Sequence, residues 1–182
     1  MSSKKTFNLI SKDKINSFKS SIKVDSDKSL SIRSFLIGAI SQNISVAKNV
    51  LESEDVFSTI NCLKKLGVKI KKNKNYYIYG KGLGCFYAKK NTILNFGNSG
   101  TLARLLIGIM STTSNLELRI QGDRSLNKRN MKKLISLMSE FGAEFLPKKK
   151  FNFPLKFISS EMPVGINYEA GVSAQLKSAV IL

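Results

Sequence analysis

The chain contains 182 residues, of which 42% are hydrophobic and 23% are charged, and it includes only 3 prolines. This composition is sufficient for a folded domain with a hydrophobic core and differs from that of disordered chains. No apolar run approaches the roughly 20 residues that span a bilayer, so no membrane partner is predicted. The first 14 residues are polar and lack the apolar segment of a secretory signal, which favours a cytoplasmic protein.

The formal net charge is +18, because 30 Lys and Arg residues outnumber 12 Asp and Glu residues. Such an excess is compatible with nucleic acid or with a small anionic substrate. The positive residues are mostly scattered lysines, whereas basic nucleic-acid grooves favour arginine and stacking aromatics, so we expect no nucleic-acid partner. The chain has no histidine, and Cys62 and Cys85 form no CxxC pair, which predicts reduced thiols and no metal site.

The first part of the chain alternates between strand-like and helix-like segments. Ser26 and Asp27 are positioned to cap the first helix, whose apolar side includes Leu30 and Ile37. A second helix opens at Ser53 and ends before Gly67, as helices commonly do before a glycine. The predicted elements are strand 21–24, helix 27–41, strand 44–48, helix 53–66, strand 68–71 and strand 76–79.

The same order of elements then begins again. A strand is followed by a glycine-containing turn and an apolar helix, and a second helix ends before Gly142. A third start follows, consisting of a strand and a helix from Val172 onward. The predicted elements are strand 92–96, helix 99–110, strand 116–120, helix 127–141, strands 143–146 and 155–158, and strand 164–168.

The recurrence indicates an internal repeat. Ser29, Thr101 and Ser173, each near the start of a helix, stand at equal intervals of 72 residues (101 − 29 and 173 − 101). We therefore predict an α/β (α+β) fold of repeated βαββαβ-type units, at about 21–90, 91–163 and 164–182. The third unit stops within a helical apolar run, so residues 1–182 are interpreted as an incomplete domain without a second domain.

The helix starts are the candidate sites, because helix N-termini attract anions. In the first, Lys28 lies in the opening turn, and Ser29 and Arg33 are four residues apart on one face. In the second, Gly97 and Gly100 allow close backbone approach to a ligand. An ordinary capped helix start and an ordinary glycine turn are the respective alternatives.

Two further clusters lie at 122–129 and 173–175. A charged surface loop explains 122–129 as well as a site does, and a plain N-cap serine explains 173–175 better than a site does. Only five of the positive residues are arginines, and a planar guanidinium suits carboxylate or phosphate better than an ammonium group does. Across all four clusters, three of the five arginines are expected to face one cleft: Arg33, Arg104 and Arg129.

These motifs resemble those of the 5-enolpyruvylshikimate-3-phosphate (EPSP) synthase family. The run 27–33, DKSLSIR, is similar to the substrate-binding lysine–serine–arginine motif, and the run 95–101, NFGNSGT, with Arg104 is similar to the second signature. The runs 51–56, 122–129 and 173–175 follow in the family's order. The sequence departs from the family pattern at Asp25-Ser26, where Pro-Gly is usual, at Ile32, where a polar residue is usual, and at Asn130, where proline is usual.

The resemblance implies enolpyruvyl transfer from phosphoenolpyruvate to the 5-hydroxyl of shikimate 3-phosphate with release of phosphate, in aromatic amino acid biosynthesis. It implies no cofactor, a monomeric full-length enzyme, and acid–base carboxylates in a half that this chain lacks. Lys28 resembles the catalytic residue at the reaction centre. The residues that resemble shikimate 3-phosphate ligands are Lys28, Ser29, Arg33, Ser173, Ala174 and Gln175. The residues that resemble phosphoenolpyruvate ligands are Lys28, Gly100, Thr101, Arg104, Arg129 and Gln175.

Three alternatives remain at this stage. The chain is a catalytic part of such an enzyme that is inactive alone, a non-catalytic module that binds phosphorylated ligands, or a basic nucleic-acid-binding domain. The related transferase that acts on UDP-N-acetylglucosamine is disfavoured by the lysine–serine start and by the run from Gly97 to Thr101.

Overall fold

The computed structural model describes residues 19, 21–22, 24–169 and 171–182. The predicted absence of a secretory signal concerns residues outside this part. In chain order the elements are α1 (Lys28–Ile40), β1 (Ile44–Ala47), α2 (Glu54–Lys65), β2 (Lys69–Lys72), β3 (Tyr76–Tyr79), β4 (Thr92–Asn95), α3 (Gly100–Ser111), β5 (Glu117–Gln121), α4 (Arg124–Asn127), α5 (Lys132–Glu140), β6 (Glu144–Leu146), β7 (Leu155–Ile158) and α6 (Ala174–Ile181).

The strands form two sheets, one in each repeated part of the chain. In the first sheet β3 lies between β1 and β2 and pairs antiparallel with both. The second sheet has the order β4-β5-β7-β6, in which β4 and β5 are parallel and the other pairs are antiparallel. Helices pack against one face of each sheet. The other face is exposed to solvent and carries residues such as Val46 and Arg119.

Helix α3 is the central element of the core, and 10 of its 12 residues are buried. A helix that is apolar on nearly all sides is suited to such a position. It packs against α1, α5 and α6, and its closest neighbour is α6. A Cβ added at Gly108 would overlap the backbone carbonyl of Ala179, so the absence of a side chain there permits this close approach.

The predicted α/β class with repeated units is confirmed, and most element bounds differ by one or two residues. When the single turn α4 is set aside, the second unit has the order strand, helix, strand, helix, strand, strand. The predicted notation βαββαβ is therefore corrected to βαβαββ. Leu30 and Ile37, expected on the apolar side of α1, are exposed, whereas Ile32 is fully buried. The departure at Ile32 therefore lies in the core and points away from the ligand-facing side of the helix.

Two predicted strands are not formed. Residues 164–168 have no regular structure, and neither do the described residues of 21–24, where Lys23 lies outside the described part. Each of these segments occupies the position in its unit that β4 occupies in the second unit, before the first helix. β4 forms a strand there because it pairs in parallel with β5. Ile22 and Val24 are exposed and have no such neighbour in the described part of the chain, and an isolated strand cannot satisfy its backbone groups.

The predicted helix 127–141 is also wrong in its first turn. It begins at Lys132, after the separate turn α4. The side chain of Asn130 accepts a hydrogen bond from the Lys132 amide, and the amide of Met131 donates to the Phe151 carbonyl, so the chain is drawn away from a continuous helix. No helix in the described part of the chain is long and apolar enough to cross a membrane.

Candidate active site

The first helix of each unit begins with a side-chain cap. Asp27, Ser99 and Ser173 are the N-caps of α1, α3 and α6, and each accepts a hydrogen bond from the amide three residues later. The caps are 72 and 74 residues apart (99 − 27 and 173 − 99), so Ser173 corresponds to Ser99 and not to Thr101. The equal spacing seen in the sequence thus compares different helix positions, although the repeat itself is present.

A hydrogen-bonded chain joins the starts of α3 and α6. Nη1 of Arg104 donates to Oε1 of Gln175 at 2.8 Å and to the carbonyl of Gly100 at 3.0 Å. Nε2 of Gln175 donates in turn to Oγ1 of Thr101 at 3.0 Å. These contacts fix the orientation of the Gln175 amide and place four of the predicted ligands in one cluster.

Arg129 approaches the same cluster from the loop after α4. Its Nη2 donates to Oδ1 of Asn98 at 2.7 Å. A Cβ built on Gly100 would lie 2.7 Å from Nη1 of Arg104 and 3.1 Å from Nη1 of Arg129, so both guanidinium groups pass directly over this glycine. A side chain at this position would therefore displace the end of one or both arginines.

Arg33 reaches α6 from the first helix. Its Nη1 donates to Oγ of Ser178 at 2.9 Å, and the Ser178 hydroxyl itself donates to the carbonyl of Ala174. The three helices α1, α3 and α6 are thus linked by side-chain hydrogen bonds, from Arg33 to Ser178 and from Arg104 to Gln175.

Lys28 makes a different type of contact. Its Nζ lies 3.1 Å from Oδ2 of Asp55, at the start of α2, and half of the lysine side chain is exposed. No contact of Lys28 with the three arginines is recorded among the described residues. The ion pair anchors the lysine beside the start of α1 while one side of its ammonium group stays open to solvent.

The three arginines share one feature: within the described part of the chain their hydrogen-bond partners are amide, hydroxyl or carbonyl oxygens, and none forms a salt bridge. Burial lowers the pKa of Arg104 below its usual value, and the nearby positive charge of Arg129 lowers it further. Arg104 and Arg129 are thus two positive charges held close together without a carboxylate between them. A bound anion would relieve their mutual repulsion and accept hydrogen bonds from both.

The remaining predicted ligands lie at the helix starts. Ser29 is half-buried in the first turn of α1, and Ala174 is exposed as the first residue of α6. A concavity of about 420 Å³ lies between the starts of α5 and α6, and its wall includes Arg104, Ser173 and Asn130.

Three residues that contact the predicted ligands were missed at the sequence level. Asp55 and Asn98 lie inside motifs that were recognised, but no role was assigned to them. Ser178 lies outside every motif, and the only available signal was its spacing of three residues from Gln175, which places both on one helix face.

The acids next to these cations are already engaged. Oδ1 of Asp27 caps α1, Oδ1 of Asp123 caps α4, and Asp55 pairs with Lys28. In the part of the chain that the structure describes, no group of three or more His, Cys, Asp or Glu side chains is arranged to hold a metal ion. The site is thus a cluster of cations, hydroxyls and helix N-termini.

Comparison with known proteins identifies the family of this chain. The family model described as EPSP synthase (3-phosphoshikimate 1-carboxyvinyltransferase) matches residues 12–182. The chain is 38% identical over 175 residues to the 3-phosphoshikimate 1-carboxyvinyltransferase of Syntrophomonas wolfei. The matched region covers 93% of this chain and 40% of that protein. It is 42% identical over 163 residues to the protein of the same name from Caldicellulosiruptor saccharolyticus, covering 88% of this chain and 37% of the relative.

A solved structure is also similar. The EPSP synthase of Acinetobacter baumannii superimposes with a TM-score of 0.78 at 33% sequence identity, covering 87% of this chain and 36% of the solved one. The fold of this chain is thus that of the matching part of an EPSP synthase. The chain belongs to the EPSP synthase family, as the sequence motifs predicted, and it spans about 40% of the length of the curated relatives that it matches.

Proposed function

We propose that this chain carries the part of an EPSP synthase active site that binds shikimate 3-phosphate and one side of phosphoenolpyruvate. In the reaction the 5-hydroxyl of shikimate 3-phosphate forms a C–O bond with the enolpyruvyl carbon, and the C–O bond to phosphate breaks, so that inorganic phosphate leaves. Both substrates are anionic, which suits a site built from cations and helix N-termini.

The observation that carries this proposal is the cluster of arginines without acidic partners. Arg33, Arg104 and Arg129 are oriented by neutral oxygens from neighbouring helices and loops. A neutral acceptor fixes the direction of a guanidinium group and leaves its charge available to a ligand. Preorganised cations of this kind hold two phosphorylated substrates in position without reorganisation during the reaction.

The proposed roles follow this geometry and the family motifs. Lys28 contacts both substrates at the reaction centre, and Asp55 keeps its ammonium group beside the start of α1. Shikimate 3-phosphate is held by Ser29, Arg33, Ser173, Ala174 and Gln175, together with Lys28. Phosphoenolpyruvate is held by Gly100, Thr101, Arg104, Arg129 and Gln175, together with Lys28.

The chain is proposed to be an incomplete N-terminal domain that does not turn over substrate by itself. The acids beside its cations cap helices or form an ion pair, and the family resemblance assigns the acid–base carboxylates to the half of the enzyme that this chain does not span. The isolated chain should bind shikimate 3-phosphate and release no phosphate from phosphoenolpyruvate. Steady phosphate release by the purified chain would contradict this part of the proposal.

Isothermal titration of shikimate 3-phosphate tests the binding site. We expect the wild-type chain to bind shikimate 3-phosphate more tightly than shikimate, and Arg33→Ala to weaken binding by about 10- to 100-fold through loss of charge-assisted hydrogen bonds. Arg119→Ala is the matched control, because Arg119 is exposed on the outer face of β5. Equal losses in both variants, or equal affinity for shikimate, would contradict a specific phosphate-binding site.

A second candidate is a module that binds the phosphorylated ligand without supporting catalysis. The observation in its favour is that the chain spans only about 40% of its relatives. A chimera tests it, in which residues 1–182 replace the matching segment of the Syntrophomonas wolfei relative. Enolpyruvyl transfer by the chimera supports the catalytic assignment, whereas retained shikimate 3-phosphate binding without phosphate release supports the non-catalytic module.

A further inference from the structure

The hydroxyl of Ser178 has a defined polarity. It donates its proton to the carbonyl of Ala174, one turn earlier in α6, at 2.9 Å. Its lone pairs are therefore left to accept, and Nη1 of Arg33 donates to it at 2.9 Å. Because a hydroxyl has one proton, the bond to Ala174 commits Ser178 to the acceptor role toward the arginine.

Helix α6 serves two arginines from two other helices. Gln175 and Ser178 are three residues apart and share one face of α6. Gln175 accepts from Arg104 of α3, and Ser178 accepts from Arg33 of α1. The close packing of α6 on α3 at Gly108 fixes the position from which both acceptors act.

The choice of a hydroxyl has an electrostatic consequence. A carboxylate at this position would orient Arg33 equally well, but it would also cancel the charge that an anionic ligand needs. A methyl group would leave the charge intact but release the guanidinium from its orientation. Serine combines orientation with an uncompensated charge.

We propose that Ser178 is a positioning residue for Arg33, holding its guanidinium toward bound shikimate 3-phosphate without neutralising it. This inference rests on the proposed function, because it takes shikimate 3-phosphate as the ligand of Arg33. Ser178 does not itself contact the ligand, and its effect is transmitted through the arginine.

Three substitutions in the 182-residue chain separate the orientation of the Arg33 guanidinium from the charge beside it. Shikimate 3-phosphate affinity is measured for each by isothermal titration. Ser178→Thr keeps the hydroxyl, Ser178→Ala removes it, and Ser178→Asp keeps an acceptor but adds a negative charge. Ser41→Ala is the matched control, since the Ser41 hydroxyl donates to a carbonyl four residues earlier in α1 in the same way but holds no arginine. Thermal unfolding without ligand is measured in parallel for every variant.

We expect Ser178→Thr and Ser41→Ala to bind within about twofold of wild type, Ser178→Ala to lose about 3- to 10-fold, and Ser178→Asp to lose more than Ser178→Ala. A purely structural role would instead lower the unfolding temperature in step with affinity. Unchanged affinity in Ser178→Ala, or tighter binding in Ser178→Asp than in Ser178→Ala, would overturn the inference. Absence of binding by the wild-type chain would instead contradict the proposed function itself.

Discussion

Gly100 lies beneath the guanidinium groups of Arg104 and Arg129, the two arginines proposed to bind phosphoenolpyruvate. Gly100→Ala places a methyl group within van der Waals overlap of the Arg104 guanidinium and in tight contact with that of Arg129. Side-chain ends are flexible, so the protein should fold, but the two cations should be displaced. We expect phosphoenolpyruvate affinity, measured by titration with saturating shikimate 3-phosphate, to fall by about 10-fold, which corresponds to about 1.4 kcal/mol.

The control for this change is Gly165→Ala, because an added Cβ at Gly165 meets nothing within 4 Å. Affinity for shikimate 3-phosphate alone should change little in either variant. An unchanged phosphoenolpyruvate affinity in Gly100→Ala would show that the arginines can move aside without loss, contrary to the role given to this glycine.

The two cysteines should differ sharply in reactivity. Cys62 is buried and donates to the Asn95 carbonyl, and burial raises its pKa from 9.0 to about 12, whereas Cys85 is exposed. Because the thiolate is the reactive form, a thiol reagent at mildly alkaline pH should label one cysteine per folded chain, and Cys85→Ser should abolish that labelling. Rapid labelling of two thiols in the folded protein would contradict the burial of Cys62.

The same shift gives a pH dependence of stability. A thiol whose folded pKa is raised contributes stability that is fully present below its unfolded value near 9.0 and is lost as the pH rises toward about 12. The free energy of unfolding should therefore fall more steeply over this range in the wild type than in Cys62→Ala. Denaturant unfolding at the two ends of the range measures the difference between the slopes.

At the residue scale, the sequence marked the candidate ligands but not the residues that contact them. The arginines and Gly100 were recognisable because each lies within a motif of the sequence. Asp55, Asn98 and Ser178 could not be assigned roles, because their contacts join residues 27, 31 and 145 positions apart in the chain. Such pairs are created by the packing of whole elements.

At the scale of elements, the contact between α3 and α6 positions the site. Gly108→Ala would force a methyl group against the Ala179 carbonyl, and backbone cannot move aside as a side-chain end can. We expect a loss of about 1–3 kcal/mol in the free energy of unfolding, as for other overpacked cores, measured by urea denaturation. Because Arg104, Thr101 and Gln175 span the same pair of helices, shikimate 3-phosphate affinity should fall as well.

Gly165→Ala again provides the comparison, since its backbone is not in the left-handed region and its surroundings are open. It should unfold within about 0.5 kcal/mol of the wild type, as is usual for exposed positions. Equal stability of Gly108→Ala and wild type would mean that α6 is free to shift, and the proposed support of two arginines by α6 would then fail.

The elements differed in how well the sequence predicted them. The ends of α1, α2 and α3 were found within one or two residues, because apolar spacing and end residues such as Asp27 and Gly67 are local signals. The segments 21–24 and 164–168 have strand-like sequences but no strand partner in the described part of the chain, so composition alone was misleading. The break between α4 and α5 depends on the backbone contact from Met131 to Phe151, which no local pattern reveals.

At the scale of the whole molecule, the repeat explains why the site exists. Each unit directs the start of its first helix, with its cap, to the same region, so that α1, α3 and α6 contribute cations or polar groups to one cluster. A net charge of +18 favours any anion through long-range attraction, but it does not by itself select a location. The account therefore depends on whether an anionic ligand binds at the helix starts or over the lysine-rich surface.

The most direct measurement is a two-dimensional proton–nitrogen NMR titration of the isotope-labelled 182-residue chain with shikimate 3-phosphate. We predict saturable shifts in the amides at the starts of α1, α3 and α6 and in the side-chain signals of Arg33 and Gln175. The edge strand β2, which carries Lys69, Lys71 and Lys72, should remain unshifted. Shifts spread over β2 with no saturation at the helix starts would contradict the account, because they would show general attraction of an anion to a basic surface.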